Sequence, residues 1–222
     1  MYGDSLSQKL IGLATCISLD AYSPIIIGVD EIAIRKGHRY RIVVSDLVRE
    51  RPIWVGKEGR KEADFQVFFD KLGEKKSMRI TLSVMDMWVA FRNGVEKNCP
   101  NVDILYDKFH VMKHLNEALD EIRKQEYRRV SEKQGKYIKG QRFILLSRYK
   151  NLDATGKQSL NELFTVNRRL YKAYLLKEQF SQLWDYKTET WARKFFENWK
   201  RQLRWQRLEP FVKFARMIDK HW

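Results

Sequence analysis

Apolar and β-branched runs separated by turn residues fill residues 25 to 109 and predict a sheet. The first three runs stand at hairpin spacing, with Gly37 and the pair Arg51-Pro52 between them, which predicts three antiparallel strands. Two further runs are each preceded by a helical segment, so that the order is β-β-β-α-β-α-β. The strands are predicted near residues 25–34, 40–47, 52–57, 79–86 and 102–107.

The two helical segments within this region are recognised by spacing and by their ends. Apolar positions recur at i, i+3, i+4 and i+7 in the first, at Phe65, Phe68, Phe69 and Leu72. Gly73 follows directly and suits a helix C-cap. The second segment, "VAFRNGVEKNCP", is predicted to be a short helix that ends before Pro100.

From His110 onwards the pattern is helical throughout. One apolar stripe runs through Val111, Leu115, Ala118, Leu119 and Ile122, and a basic stretch from 123 to 148 follows. Two more helices are predicted from about 157 to 186 and from 188 to 205. The expected organisation is a short N-terminal helix in 1–24, an α/β core in 25–109 and a helical region in 110–222, a mixed sheet carrying a helical block.

The charge of the chain indicates a polyanionic partner. Forty-three Lys and Arg against 28 Asp and Glu leave a formal net charge of +15, spread along 222 residues of which 44% are hydrophobic. Nucleic acid is favoured over a membrane, because no basic amphipathic segment stands alone. The alternative is a basic globular protein whose lysines only keep it in solution.

Cysteines and the N-terminus bear on the compartment. Cys16 and Cys99 are far apart and outside any CxxC motif, so the sequence supports neither a disulfide framework nor a cysteine zinc site, and a reducing cytoplasm fits. The run "LIGLATCISL" is too short to span a bilayer, and no cleavage site follows it. We expect a short helix there, neither a signal peptide nor an anchor.

Two acidic residues follow apolar strands. Asp30 comes after "PIIIGV" and Asp86 ends "TLSVMD". An ionised carboxylate beside a core is costly unless it is paired or bound to a cation, and Mg²⁺ prefers one or two carboxylates with phosphate oxygens and water. The pair therefore favours a divalent metal site, whereas for either residue alone a turn hydrogen bond is the better interpretation. Glu31 alternates to the other face and is expected to pair with Arg35 or Lys36.

Five motifs in order resemble the DDE-type transposases of bacterial insertion sequences, in the ISL-three family. They are "IGVDEIAIRKGHRY", "VMDMW", "LYDKFHVMKHLNEALD", "KGQRFILL" and "AYLLKEQF". The resemblance implies an RNase H-like fold with a helical insertion and two-metal cutting and joining of DNA strands. It also implies that Asp30 and Asp86 are the first two catalytic acids and hold two Mg²⁺ or Mn²⁺ ions about 4 Å apart.

The third catalytic acid is open between two alternatives. Glu178 in "AYLLKEQF" shares a helix face with Tyr171 and Tyr174 and is the candidate within this chain. The other alternative is a glutamate beyond Trp222, because the helical region after His110 resembles an insertion that would displace that residue.

The segment "YDKFHVMKH" contains a further group of polar residues. Asp107 closes the fifth strand, and His110 and His114 fall one helical turn apart. A zinc site is possible but lacks a fourth ligand, so a helix face with satisfied histidines is favoured. Asp107 and His110 resemble a D-x-x-H signature of related transposases and are expected to support the catalytic centre, by orienting a metal-bound water or by locking the strand-to-helix junction.

Aromatic and basic residues alternate in the helical region, as in "WARKFFENWKRQLRWQR". Such mixtures suit phosphate contacts and stacking, although Trp191, Phe195 and Trp199 also fit core spacing and are assigned to packing. The candidate DNA-binding residues are Arg35, Lys36, Arg128, Arg129, Arg142, Arg201 and Arg204.

These observations favour the catalytic domain of a transposase that acts on insertion-element ends and target DNA, forms a homodimer when full-length and works in the bacterial cytoplasm at the nucleoid. The resemblance also implies an N-terminal zinc-binding and helix-turn-helix region and a later Asn-Gly and Glu segment, neither of which is found. The alternative is accordingly a truncated, inactive remnant that binds DNA non-specifically. An RNA-binding protein without catalytic ability would leave Asp30 and Asp86 unexplained.

Overall fold

A computed structural model describes residue 19, residues 23–35 and residues 39–222 of the chain. The predicted N-terminal helix, with Cys16, lies outside the described residues, as does Gly37. The chain divides into two compact units, Met1–Val111 and Met112–Trp222. We call them the sheet unit and the helical unit.

The sheet unit contains a five-stranded mixed sheet in the order β3-β2-β1-β4-β5. The first three strands pair antiparallel, and β4 and β5 continue from β1 in parallel. The strands are β1 (Ile26–Arg35), β2 (Arg39–Asp46), β3 (Arg51–Glu58), β4 (Leu82–Met85) and β5 (Asp103–Tyr106). The predicted α/β fold class, with three antiparallel strands and then parallel ones, is confirmed.

The fourth strand is shorter than the sequence pattern predicts. Its predicted start at residue 79 is wrong, because the N–H groups of Arg79 and Ile80 donate to the carbonyls of Lys76 and Ser77, in a turn after a short helix. Ile80 is fully buried beside the sheet, which explains why it resembles a strand residue in the sequence. The other predicted strand ends lie within one residue of those observed.

Among the described residues, the helices that lie wholly in the sheet unit are α1 (Glu62–Leu72), α2 (Glu74–Ser77) and α3 (Val89–Asn98). The predicted apolar face of α1 is buried, and its Phe65 ring lies 5.7 Å from the Phe91 ring of α3. Gly94 permits this approach, because a Cβ atom at that position would lie 2.7 Å from the Phe65 ring. The two helices thus share one hydrophobic core with the sheet.

Asp46 shows that a carboxylate at a strand end can be purely structural. Its side chain is fully buried at the end of β2 and accepts hydrogen bonds from the backbone N–H groups of Val48 and Arg49, both at 3.0 Å. The guanidinium of Arg49 adds an ion pair at 2.8 Å. Asp46 therefore organises the hairpin turn between β2 and β3.

The helical unit is built from helices connected by short turns. Its helices, together with the one that crosses from the sheet unit, are α4 (Lys108–Arg129), α5 (Glu132–Gly140), α6 (Arg142–Leu146), α7 (Ala154–Val166), α8 (Arg168–Phe180), α9 (Glu189–Leu203) and α10 (Glu209–Lys220). The single helix predicted for 157–186 is wrong, because the side chain of Asn167 accepts a hydrogen bond from Leu170 N and starts a new helix. Helix α10, which has Pro210 in its first turn, was not predicted.

Aromatic rings and one buried lysine form the centre of the helical unit. The Phe180 and Trp199 rings lie 4.8 Å apart, and Trp199 is fully buried, which confirms its assignment to packing. The same assignment is wrong for Trp191, which is 58% exposed. The ammonium of the buried Lys177 donates to the carbonyl of Ser147 at 2.6 Å and to two carbonyls of the last turn of α6, so it caps that helix.

Candidate active site

Three aspartates come directly after three residues that pair with one another across the parallel strands. Val29 of β1 pairs with Met85 of β4, and Met85 pairs with Tyr106 of β5. The next residue on each chain is an aspartate, namely Asp30, Asp86 and Asp107. Because parallel strands point the same way, the three residues stand at the same level of the sheet, where β4 and β5 end and β1 continues. The sequence predicted these three positions separately, and the register aligns them.

His110, in the first turn of α4, lies against two of these carboxylates. Its Nε2 atom is 3.7 Å from Oδ1 of Asp30, and its Nδ1 atom is 3.3 Å from Oδ2 of Asp86. The His110 side chain is only 15% exposed, whereas that of Asp30 is 62% exposed. One imidazole ring therefore contacts both acids. Solvent reaches this group of side chains at Asp30.

Each of the two acids makes one local hydrogen bond. Oδ1 of Asp30 accepts from the N–H of Glu31 at 2.7 Å, and Oδ1 of Asp86 accepts from the N–H of Met87 at 2.6 Å. The bond at Asp86 follows the end of β4, as the alternative interpretation expected, whereas the bond at Asp30 lies within β1. They engage Oδ1 of each carboxylate, while Oδ2 of Asp86 faces Nδ1 of His110 and the exposed Asp30 side chain is open to a ligand.

Asp107 has a different environment from Asp30 and Asp86. Its Oδ1 atom accepts from the N–H of Phe109 at 2.8 Å, and its backbone carbonyl accepts from the N–H of Val111. Its own N–H donates to the carbonyl of Met85 on the neighbouring strand. Asp107 thus caps α4 and ties the helix to the sheet, which places His110.

His114 does not join His110. Its Nδ1 atom lies 3.1 Å from Oε2 of Glu117, one turn further along α4. Within the described part of the chain, no group of three or more His, Cys, Asp and Glu side chains could hold a metal ion. The zinc site considered from the sequence is therefore not formed among those residues. The imidazole of His114 has a partner on its own helix, Glu117, which agrees with the favoured alternative.

A divalent ion of the Mg²⁺ class still fits the pair formed by Asp30 and Asp86. Such ions are commonly held by only one or two carboxylates, with water and phosphate oxygens completing the shell. The Nδ1 atom of His110 is buried and makes no hydrogen bond to any described group, so this polar edge faces the carboxylates without a satisfied partner. A cation, with its water ligands, would satisfy such a group of atoms.

Arg60 contacts residues close in sequence to Asp30 and Asp86. Its guanidinium lies 3.1 Å and 3.2 Å from the two carboxylate oxygens of Glu31. It also stacks between the rings of Tyr40 and Trp88, at 4.6 Å and 4.5 Å from their centroids. Sequence reasoning missed Arg60 and assigned Glu31 to Arg35 or Lys36; Lys36 and the side chain of Arg35 lie outside the described residues.

Arg60 links the residues next to both acids. Glu31 adjoins Asp30, and Trp88 stands two positions after Asp86. The indole N–H of Trp88 also donates to the backbone carbonyl of Arg60 at 3.1 Å. The Nη1 atom of Arg60 is shared by both Glu31 oxygens while the guanidinium stacks on the rings, so these contacts connect β1 with the segment after β4.

Glu178 lies in α8 of the helical unit. Its Oε1 atom is 3.1 Å from the ammonium of Lys177, and its Oε2 atom accepts from the N–H of Tyr149 at 3.4 Å. These contacts give the carboxylate a role at the end of α6. Its membership of the catalytic set stays a prediction.

The candidate DNA-binding residues of the helical unit fall into two groups. Arg129 and Arg142 pair with the buried acids Glu126 and Asp120, at 3.1 Å and 3.3 Å, although their own side chains remain largely exposed. The exposed residues without an ion pair to a described residue are Arg128, Arg201 and Arg204, of which Arg201 donates to Asn198. Their contact with DNA stays a prediction.

Comparison with known proteins identifies the family. Residues 27–222 match the sequence profile of the ISL-three DDE transposase family, described as "Transposase". The transposase for insertion sequence element IS1001 of Bordetella parapertussis is 30% identical over 195 residues, covering 86% of this chain and 48% of that protein. The transposase for IS1557 of Mycobacterium tuberculosis is 28% identical over 220 residues, covering 88% and 49%.

The chain spans about half the length of the curated relatives it matches. In the described residues, no helix has the length and apolar character needed to cross a membrane. Because the family profile covers almost the whole chain, the protein belongs to the ISL-three family of DDE transposases.

Proposed function

We propose that this chain is the catalytic part of a transposase that cleaves and joins DNA strands, with Asp30 and Asp86 as the carboxylates that hold its divalent ions. The observation that carries the proposal is the placement of these two acids at the same level of the parallel strands β1 and β4, with one nitrogen of His110 near each. Family membership supplies the reaction class, because the relatives that the chain matches are transposases.

In this proposal the residues around the acids hold and orient them. Asp30 and Asp86 would bind Mg²⁺ or Mn²⁺, and His110 keeps the two carboxylates separated and aimed at one space. Bound ions supply Lewis acidity toward a phosphate and lower the pKa of water, the chemistry that two-metal strand cleavage needs. The third acid is Glu178 or a glutamate that follows Trp222 in a longer protein.

The proposed substrate is DNA, at insertion-element ends and at the target, bound by a homodimer of the full-length protein. The net charge of +15 supports it, because Lys and Arg side chains displace counterions from phosphates. Binding by this chain should depend steeply on salt and little on sequence, since phosphate contacts position a duplex without reading it.

Cleavage of supercoiled plasmid with Mg²⁺ or Mn²⁺ tests the proposal. Asp30→Asn and Asp86→Asn should each lower the cleavage rate at least about a hundredfold with unchanged DNA affinity, because Asn keeps the shape and loses the charge. Asp103→Asn, an exposed acid at the other end of β5, is the matched control and should cleave normally. Cleavage retained by either test variant contradicts its assignment, and DNA binding without cleavage by the unaltered chain would favour the inactive remnant.

A further inference from the structure

A basic cleft of about 390 Å³ lies in the helical unit, away from the proposed catalytic acids in sequence. It is formed by the end of α4, the start of α8 and the turn between α9 and α10. The lining residues that matter here are Arg129, Arg168, Arg169, Lys172, Trp205 and Arg207. Five cations and one large aromatic ring thus line a single cleft.

Two of the five cations share one acidic partner. Arg169 donates to Oε1 of Glu126 at 2.7 Å and to the backbone carbonyl of Arg207 at 2.9 Å, and Arg129 donates to the same carboxylate at 3.1 Å. The buried Glu126 therefore serves both residues. Arg169 lines the cleft and holds the turn that carries Arg207.

The other three cations have no acidic partner among the described residues. Arg168, Lys172 and Arg207 are exposed, and none of them forms an ion pair with a described group. Arg168 and Lys172 are four positions apart on α8, where like charges repel. They also stand in the first turns of a helix, where the helix dipole disfavours cations. A bound anion would relieve both unfavourable interactions.

Trp205 adds a stacking surface to this charge. The residue is 79% exposed, in contrast to the buried Trp199 that precedes it. The guanidinium of Arg204 lies 5.2 Å from the ring centroid, which leaves the indole flanked by a cation. An exposed indole within a cationic groove is the combination with which proteins bind single-stranded nucleic acid.

We propose that this cleft binds an unpaired nucleotide of a single DNA strand, with a phosphate at Arg168, Lys172 and Arg207 and the base stacked on Trp205. An unpaired nucleotide is required because both faces of a base inside a duplex are covered by its neighbours. The inference rests on the proposed function in taking DNA as the ligand, but it needs neither the metal ions nor the catalytic acids.

Fluorescence anisotropy of a labelled thymidine oligonucleotide of about twelve nucleotides tests this, with the whole chain and EDTA present. Trp205→Ala should weaken binding about tenfold, and Trp205→Phe should restore most of it, since a smaller ring still stacks. A combined Arg168→Ala and Lys172→Ala variant should also weaken binding. The slope of the logarithm of the binding constant against the logarithm of the salt concentration should fall by the equivalent of about two phosphate contacts.

Matched controls separate stacking from charge and from folding. Trp191→Ala removes another exposed indole, which has the ammonium of Lys194 at 4.9 Å from its ring, and should leave the affinity unchanged. With an abasic strand of equal length, Trp205→Ala should have no effect on the affinity. The combined charge variant should bind that strand more weakly than the unaltered chain does. With a blunt duplex, Trp205→Ala should again have no effect.

Several results would overturn the inference. An equal effect of Trp205→Ala and Trp191→Ala on the thymidine strand would show that the cleft has no special role. A loss of abasic-strand or duplex binding in Trp205→Ala would show that the ring acts on the fold or on duplex DNA. Because the assay contains no divalent ion, failure of plasmid cleavage leaves this result unaffected, and failure here leaves the cleavage test unaffected.

Discussion

The imidazole of His110 and the carboxylate of Asp86 are in contact, with Nδ1 and Oδ2 separated by 3.3 Å. The opposite nitrogen of the ring faces Asp30 at 3.7 Å. Asp107 fixes this geometry from behind, because it caps the helix that carries His110. The ring is thus a spacer between the two acids that we propose as metal ligands.

His110→Ala should weaken binding of Mn²⁺ to the chain about tenfold. Removing a group that orients metal-binding carboxylates typically costs 10- to 100-fold in affinity. Isothermal titration of the purified chain with Mn²⁺ measures this, and cleavage of plasmid DNA should fall in parallel.

His114→Ala is the control for that experiment. His114 lies one helical turn further along α4 and contacts Glu117, so its removal should leave the Mn²⁺ affinity unchanged. If His110→Ala bound Mn²⁺ as tightly as the unaltered chain, His110 would serve only to pack the strand-to-helix junction.

Arg60→Ala should lower the free energy of unfolding by about 1 to 2 kcal/mol. Each stacking contact of an exposed guanidinium contributes about 0.5 to 1 kcal/mol, and an ion pair exposed to solvent adds at most about 1 kcal/mol. The Arg60 side chain is 37% exposed, and solvent therefore weakens its ion pair with Glu31. Most of the expected loss is accordingly assigned to the two stacking contacts. Urea titration followed by fluorescence measures the change.

Arg92→Ala provides the comparison, since Arg92 makes a surface pair with Glu96 on α3. That substitution should change the unfolding free energy by no more than about 0.5 kcal/mol. Equal effects of the two substitutions would mean that stacking on Tyr40 and Trp88 contributes nothing.

The stability of the helical unit should fall in acid through Glu126. Burial alone would raise the pKa of this carboxyl, but hydrogen bonds from Arg169 and Asn167 and the charges of Arg169 and Arg129 outweigh it and hold the pKa below its ordinary value of 4.5. The folded state therefore binds this proton less readily than the unfolded state. The stabilisation is fully present above pH 4.5 and is lost as the pH falls through the lowered pKa.

Glu126→Gln should lower the unfolding free energy at pH 7 by about 1 to 3 kcal/mol, the contribution of hydrogen bonds to a charged group. Its deficit relative to the unaltered chain should shrink as the pH is lowered below 4.5. Urea titrations between pH 7 and about pH 3 measure both. Glu132→Gln, an 82% exposed acid, should show neither effect, and a deficit of Glu126→Gln that stays constant with pH would contradict the assignment.

The local pattern of apolar and polar residues was sufficient to locate most strands and helices of the sheet unit. The β-branched runs and the apolar face of α1 are periodic over short distances, so strands and helix could be located from neighbouring residues alone. Asp30 and Asp86 were found as candidates because each follows such a run. Their alignment depends on the parallel pairing of β1 and β4, which the sequence indicates only through the family resemblance.

The contacts that sequence reasoning missed join residues that are distant along the chain. Arg60 is 29 residues from Glu31, and no spacing rule relates it to Tyr40 or Trp88. The break at Asn167 was missed because the apolar pattern continues through it, while a single side-chain hydrogen bond ends one helix and starts the next. Trp191 and Trp199 share one periodic pattern, and only packing against other helices decides which is buried.

The most direct test of the proposed catalytic site is anomalous X-ray diffraction from crystals of the chain soaked in Mn²⁺. We expect an anomalous peak within about 2.2 Å of carboxylate oxygens of both Asp30 and Asp86, the ligand distance of small divalent ions. The peak should vanish in crystals of Asp30→Asn. A fully occupied Mn²⁺ site elsewhere, with no peak between Asp30 and Asp86, would contradict the account.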